Sequence, residues 1–181
     1  VPANERNTLD AYARYDLAAA IAEANNGFVN ILSVVSPGAA AARRTFLSSA
    51  EDLRLECRKI AATIPVSVQV ENDRDNRIRT AFASAFSSAG FKTAETSSRY
   101  SLVARLQISE VDLPDNTSKF VRYQIDAKLY DREKDISVLP FSISGREGHS
   151  SVSEAEQRAL RAAEKKIAGE FSNELGVFLS R

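Results

Sequence analysis

Residues 100–108 read YSLVARLQI, and residues 121–130 read VRYQIDAKLY. In the first stretch Leu102, Ala104, Leu106 and Ile108 alternate with Val103, Arg105, Gln107 and Ser109. In the second, Val121, Tyr123, Ile125, Ala127 and Leu129 alternate with Arg122, Gln124, Asp126, Lys128 and Tyr130. Strict alternation predicts a strand with one buried side and one wet side. Phe141, Ile143 and Gly145 continue the pattern on a third strand. Leu113-Pro114-Asp115-Asn116 supplies a turn, and Asp131–Asp135 a charged one. Together they predict a β-meander whose polar face carries Arg105, Arg122, Gln124 and Lys128.

The flanking sequence supplies cover for the apolar face. Val66, Val68 and Val70 alternate with Ser67, Gln69 and Glu71 after Pro65, which predicts another strand. Asp73 or Asp75 can cap the helix that follows, whose apolar stripe is Ile78, Ala81, Phe82, Ala85, Phe86 and Ala89. Gly90 falls where a left-handed C-cap belongs, and Phe91–Ala94 reads as a short strand. Ser153-Glu154-Ala155-Glu156 resembles a capping box. The last helix follows, with the stripe Ala155, Ala159, Ala162, Ala163, Ile167, Phe171, Leu175 and Phe178. The predicted fold class is α+β, a mainly antiparallel sheet with helices packed on one face.

Residues 1–62 read as an N-terminal helical hairpin packed on the rest, with the sheet domain over 63–181. The first helix spans 8–35. Its stripe of Leu9, Tyr12, Ala13, Leu17, Ala20, Ile21, Ala24, Phe28, Ile31, Leu32 and Val35 keeps phase through Asn25-Asn26-Gly27, so the helix is read through that break. Ser36-Pro37-Gly38 separates it from a second helix over about 39–62, with stripe Phe46, Ala50, Leu53, Cys57, Ile60, Ala61 and Ile64.

Composition excludes several classes of function. Lys plus Arg is 24 and Asp plus Glu is 24, so the net charge is zero. Nucleic acid is therefore not the expected partner, because phosphate binding needs a basic excess or stripe. No run of 18 apolar residues occurs, so no membrane span is expected. The sequence holds one cysteine and one histidine. A zinc site and an internal disulfide are both ruled out on that count, and Cys57 reads as a small core residue. No cofactor-binding signature is present. With no Met at all, the sequence is expected to begin downstream of the natural start.

Catalytic chemistry has little to work with. A Ser-His-Asp triad would have to use His149, and no nucleophile-elbow motif occurs. Glu71-Asn72-Asp73-Arg74-Asp75-Asn76 alternates carboxylates as calcium loops do. It lacks the loop's glycine and terminal glutamate, so capping is the expected role. Asn116-Thr117-Ser118 matches a glycosylation sequon within an ordinary turn. The most distinctive local sequence is Gly145-Arg146-Glu147-Gly148-His149-Ser150-Ser151. Read as a loop entering a helix N-terminus, its glycines permit unusual backbone angles and Arg146 offers a bidentate grip on an anion. The plainer reading gives the glycines to a bulge, Ser151 or Ser153 to capping, and Arg146 and Glu147 to the surface.

Three passages resemble the N-terminal domain of TolB and its relatives in bacterial envelope proteins, the CsgG, LpoB and FlgT types. They are Ile64–Gly90 running into "SSAGF", Tyr100–Ile108, and Ser144–Ala163 as "SGREGHSSVSEAEQRALRAA". The resemblance covers about residues 64–180. It implies a non-enzymatic module, often of a periplasmic lipoprotein, that works through protein contacts. It carries no catalytic residues over. The lipid-attachment cysteine of such proteins is absent from this sequence, so an anchor would have to lie upstream of Val1. The expected function is thus an interaction module with Arg105, Arg122, Lys128, Arg146, Glu147 and His149 as candidate contact residues. Its partner would be an envelope protein, met on the outward face or edge of the meander. The rival expectation is a lipid or small-molecule carrier, with a pocket between hairpin and sheet lined by Phe28, Phe46, Phe82 and Phe86.

Overall fold

The computed structural model describes residues 8–39, 49–112 and 118–179. Phe46, the 113–116 turn and Asn116-Thr117 of the sequon lie outside them. The chain divides into two compact units, one ending at Thr63 and the other spanning Ile64–Phe178.

In the first unit, helix α1 runs unbroken over Thr8–Val35, through the Asn-Asn-Gly segment. Helix α2 is Ala50–Ala61. Ser49 is extended and its hydroxyl accepts from the Asp52 amide, capping this helix; residues 40–48 of the expected second helix lie outside the described residues. The two helices meet along Tyr12, Asp16, Ala19 and Glu23 of α1. Arg54 of α2 pairs with Asp16 and reaches Glu23 at 3.2 Å, and the buried Cys57 thiol donates to the Tyr12 carbonyl at 3.7 Å. Burial, followed by the Asp16 charge, pushes the Cys57 thiol above its ordinary value, which keeps it a protonated core group. The rest of the long stripe is bare: Leu17, Ile21, Phe28, Ile31, Val34 and Val35 are all exposed. Over Ala11–Val35 the helix is long and apolar enough, by length and composition, to cross a membrane.

The second unit is a five-stranded sheet in the order β2-β1-β3-β4-β5. Its elements are β1 (Pro65–Glu71), α3 (Arg77–Ser88), β2 (Lys92–Ala94), β3 (Tyr100–Val111), β4 (Lys119–Asp131), β5 (Ile136–His149), α4 (Val152–Lys166) and α5 (Ser172–Leu179). β1 pairs in parallel with β2 and β3, while the long β3–β4–β5 ladders are antiparallel. The helices lie on one face. Asp73 supplies the α3 cap, its carboxylate accepting from the amides of Arg77 and Arg79 at 3.1 and 2.8 Å. Gly90 ends that helix at φ 92°, a conformation L side chains rarely adopt.

Ala155, Ala159 and Ala163 are fully buried, and their small size lets α4 lie close against β4 and β5. The buried series continues with Ile167, Phe171 and Leu175, always at intervals of four. That interval drifts around a helix of about 3.6 residues per turn. A π-helical turn over Ile167–Phe171 takes up the surplus and returns Phe171 and Leu175 to the buried side. Phe171 then meets Phe82, Phe86 and Phe141 edge-on, with ring centroids 4.9, 5.5 and 5.2 Å apart. Arg77 ties α3 to α4 through a two-point pair with Glu164 at 2.6 and 2.8 Å.

The β4–β5 turn is held by a buried ion pair. Arg99 binds Asp131 at 3.2 and 3.0 Å and Glu133 at 2.6 Å, and the Asp131 side chain is 3% exposed. Burial alone would raise the Asp131 carboxyl. The Arg99 guanidinium and the Glu133 amide outweigh it and hold the group below its ordinary 3.8. A depressed folded value contributes stability above the unfolded pKa, and that contribution fades as pH falls through the folded one. We expect Asp131→Asn to lower the unfolding free energy at pH 7 by roughly 1–3 kcal/mol. Urea titrations should show the gap to the parent narrowing below about pH 4. A gap that stays constant down to acid pH would count against this account.

Candidate functional site: the bare face of the sheet

The sheet's second face carries no helix of its unit, and beyond the buried Ser67–Ser101 row its side chains stand in cross-strand rows set by register. Gln69, Val103, Lys128 and Pro140 form one row; Glu71, Arg105, Asp126 and Ser142 the next. Beyond them lie Gln107–Gln124–Ser144, then Ser109–Arg122–Arg146, then Val111–Phe120–Gly148. Four of the six candidate residues, Arg105, Arg122, Lys128 and Arg146, therefore share this face and are exposed. Glu147 and His149 have the opposite parity and belong to the helix-covered side.

Polar groups in the middle of the face are hydrogen-bonded within it. Arg105 donates to Glu71 at 2.8 Å, and Asp126 accepts from Gln124 at 2.8 Å and Ser142 at 2.6 Å. Toward one end the pattern changes. Arg122 and Arg146 are direct cross-strand neighbours, and among the described residues neither pairs with a carboxylate. Opposed like charges on a sheet are destabilising. Arg146 gains instead from stacking over the Phe120 ring, 5.3 Å from guanidinium carbon to centroid.

The 145–149 segment is not a loop. It is the end of β5, paired with Lys119–Tyr123, and the bulge in this ladder lies elsewhere, at Leu129/Tyr130. Among the described glycines only Gly90 has positive φ, so Gly145 and Gly148 are not there for backbone freedom. They make room for rings. A Cβ on Gly145 would sit 2.5 Å from the Tyr123 hydroxyl, and one on Gly148 2.6 Å from the Phe120 ring. Tyr123 is buried under the helices and Phe120 lies on the bare face, so the two glycines serve opposite sides of the sheet. The sequence signal was the Gly-x-x-Gly spacing opposite two aromatics, which is readable only once the β4–β5 register is known.

The anion site expected at the start of the last helix is occupied by the chain itself. Ser151, not Ser153, is the N-cap, accepting from the Glu154 amide at 3.3 Å. Glu154 carries the countercharge: it accepts from Ser150 and Ser151 at 3.1 and 3.2 Å and pairs with His149 Nδ1. The Ser150 hydroxyl meets that same Nδ1 at 3.1 Å. A catalytic triad needs nucleophile and carboxylate on opposite ring nitrogens, so this cluster lacks the geometry to activate Ser150. Asp73 and Asp75 bind no common centre, since Asp73 is spent on α3 amides. Among the described residues no group of three His, Cys, Asp or Glu side chains is placed to hold a metal. Phe82 and Phe86 are 0% and 1% exposed inside the aromatic core. They cannot line a carrier pocket.

The sheet edges are guarded. Lys166 donates to the Ser144 carbonyl at 2.9 Å and Arg158 to that of Gly148 at 3.4 Å, so even-numbered residues of β5 turn their polar backbone outward. Pro140 shares that parity and has no N–H to offer there. On the other side, Arg79 caps the Val68 carbonyl at 3.3 Å where β2 has already ended.

Neither a protein-family model nor a curated protein matches the sequence. Solved structures of bacterial proteins, lipoproteins among them, are similar in part. A minor lipoprotein from Acinetobacter baumannii matches 62% of this chain and 92% of its own, with 12% identity and a TM-score of 0.45. Rare lipoprotein B from Shewanella oneidensis matches 64% of this chain and 94% of its own, with 12% identity and a TM-score of 0.40. The PelC dodecamer from Paraburkholderia phytofirmans matches 60% and 86%, with 19% identity and a TM-score of 0.34.

The Phe120–Gly148 contact gives a direct test of the site's geometry. Gly148→Val should displace the ring and cost about 1–3 kcal/mol by overpacking. Adding Phe120→Ala should recover much of that loss in the same denaturant series. Additive losses in the double variant would show that the ring does not lie over Gly148.

Proposed function

We propose that this chain is a non-enzymatic interaction module of a bacterial envelope lipoprotein, and that it holds an acidic protein surface on the bare face of its sheet. The observation that supports the reading is the Arg122–Arg146 pair. Two guanidiniums stand side by side on a rigid ladder, without a carboxylate between them, while Arg105 on the same face is already matched by Glu71. A carboxylate-bearing partner relieves that repulsion and accepts two-point hydrogen bonds from either fork. Arg105 is the lesser contributor, since Glu71 holds it, and Lys128 lies two rows beyond the neutral glutamine row. Docking on the face is favoured over strand addition along β5, because Lys166, Arg158 and Pro140 obstruct that edge. An envelope setting agrees with the names of the similar structures, and a lipid anchor would belong to a segment outside this sequence.

The test is affinity capture from bacterial envelope extracts with the parent chain and with Arg122→Glu/Arg146→Glu. The parent should retain a protein that the double variant loses by tenfold or more, with binding that weakens steeply as salt is raised. Circular dichroism should be the same for both. Capture unaffected by the double reversal would refute this reading, as would a metabolite found by native mass spectrometry in place of any protein.

A further inference from the structure

Helix α1 has two faces, and only one of them is used within its own unit. Tyr12, Asp16, Ala19 and Glu23 meet α2, and Arg54 gathers both carboxylates there. On the other side Leu17, Ile21, Ala24, Phe28, Ile31 and Val35 are exposed, Phe28 at 71% and Val35 at 77%. Their spacing is four, three, four, three, four, the a/d repeat of a coiled coil. The stripe is about 27 Å long at helical rise. We propose that it is a seam for a second copy of this chain, pairing α1 with α1.

Area, charge and polarity all favour this occupant. At the observed exposures the six side chains present on the order of 500 Å² of apolar surface, near the upper limit of what monomeric proteins leave bare. Two copies would bury about twice that, the threshold of a specific interface. The positions flanking the seam are Ala18, Ala20, Asn25, Gly27, Leu32 and Val34, so no like charges meet when two copies approach. The helix's acidic groups at Asp16 and Glu23 point to α2 instead. A bilayer fits less well. The stripe is narrow, and the polar Asn26 and Asn30 occupy the other faces of the same turns, where hydrocarbon would oppose them.

Analytical ultracentrifugation of the full chain up to ~100 µM should show a reversible dimer. Phe28→Glu/Ile31→Glu should raise its dissociation constant by roughly 100-fold without loss of helical circular dichroism, because both side chains are exposed in the monomer. Arg54→Ala, on the α2 side, should leave the constant within about threefold. A parent chain that stays monomeric overturns the proposal. So does a dimer indifferent to the double substitution. Flotation of the parent with phosphatidylcholine–phosphatidylglycerol vesicles, abolished by Phe28→Glu/Ile31→Glu, would assign the stripe to lipid and also overturn it.

Discussion

Phe171 touches three other phenylalanines edge-on, one from the sheet and two from α3, and the layered arrangement of the second unit depends on that contact. The ring partners come from two parts of the chain: Phe82 and Phe86 from the crossover helix, Phe141 from the last strand. The cluster thereby joins α3, the closing helix and the sheet at one point. Alanines at 155, 159 and 163 then let the rest of the closing helix settle on β4 and β5. The π turn is the accommodation that lets both halves of this helix bury their stripe. Without it Phe171 would rotate off the sheet.

One-sided burial has a consequence for the opposite face. A sheet that turns most of its apolar residues toward one helical layer carries its polar residues outward in rows, and register decides which of them meet. In this chain register places Glu71 beside Arg105 and surrounds Asp126 with hydroxyl and amide donors, but sets Arg122 directly against Arg146. The fold tolerates that repulsion because Phe120 offers a π face to one of the two guanidiniums. A site made this way depends on a ladder rather than a loop, so its geometry is rigid.

Much of this architecture was legible in the residues. Alternation in 100–108 and 121–130 marked the strands and their wet faces, and it put Arg105, Arg122 and Lys128 where the structure has them. Asp73 and Gly90 bounded α3 as capping chemistry requires. Arg146 was misplaced because Gly145 and Gly148 look like loop glycines. Their purpose is to seat Tyr123 and Phe120, which is a property of cross-strand pairing and invisible to a linear scan. Glu147 and His149 lie on the opposite side of the strand from Arg146, which parity shows only once the segment is known to be a strand. In α1 the apolar stripe was read as buried throughout. Sequence periodicity marks an apolar face but does not say which element covers it, and α2 reaches only the Tyr12–Glu23 side. The carrier reading failed on a similar point, as Phe82 and Phe86 pack on other phenylalanines.

The dependence of the sheet unit on its aromatic joint is most directly measured by equilibrium urea unfolding of Phe171→Ala in the full chain. Loss of a ring that touches three partners in a fully buried position should remove about 3–5 kcal/mol and leave a cavity that the flanking alanines cannot fill. A loss below about 1 kcal/mol would mean that the helical layer is held by other contacts, and that the one-sided core described for this protein is wrong.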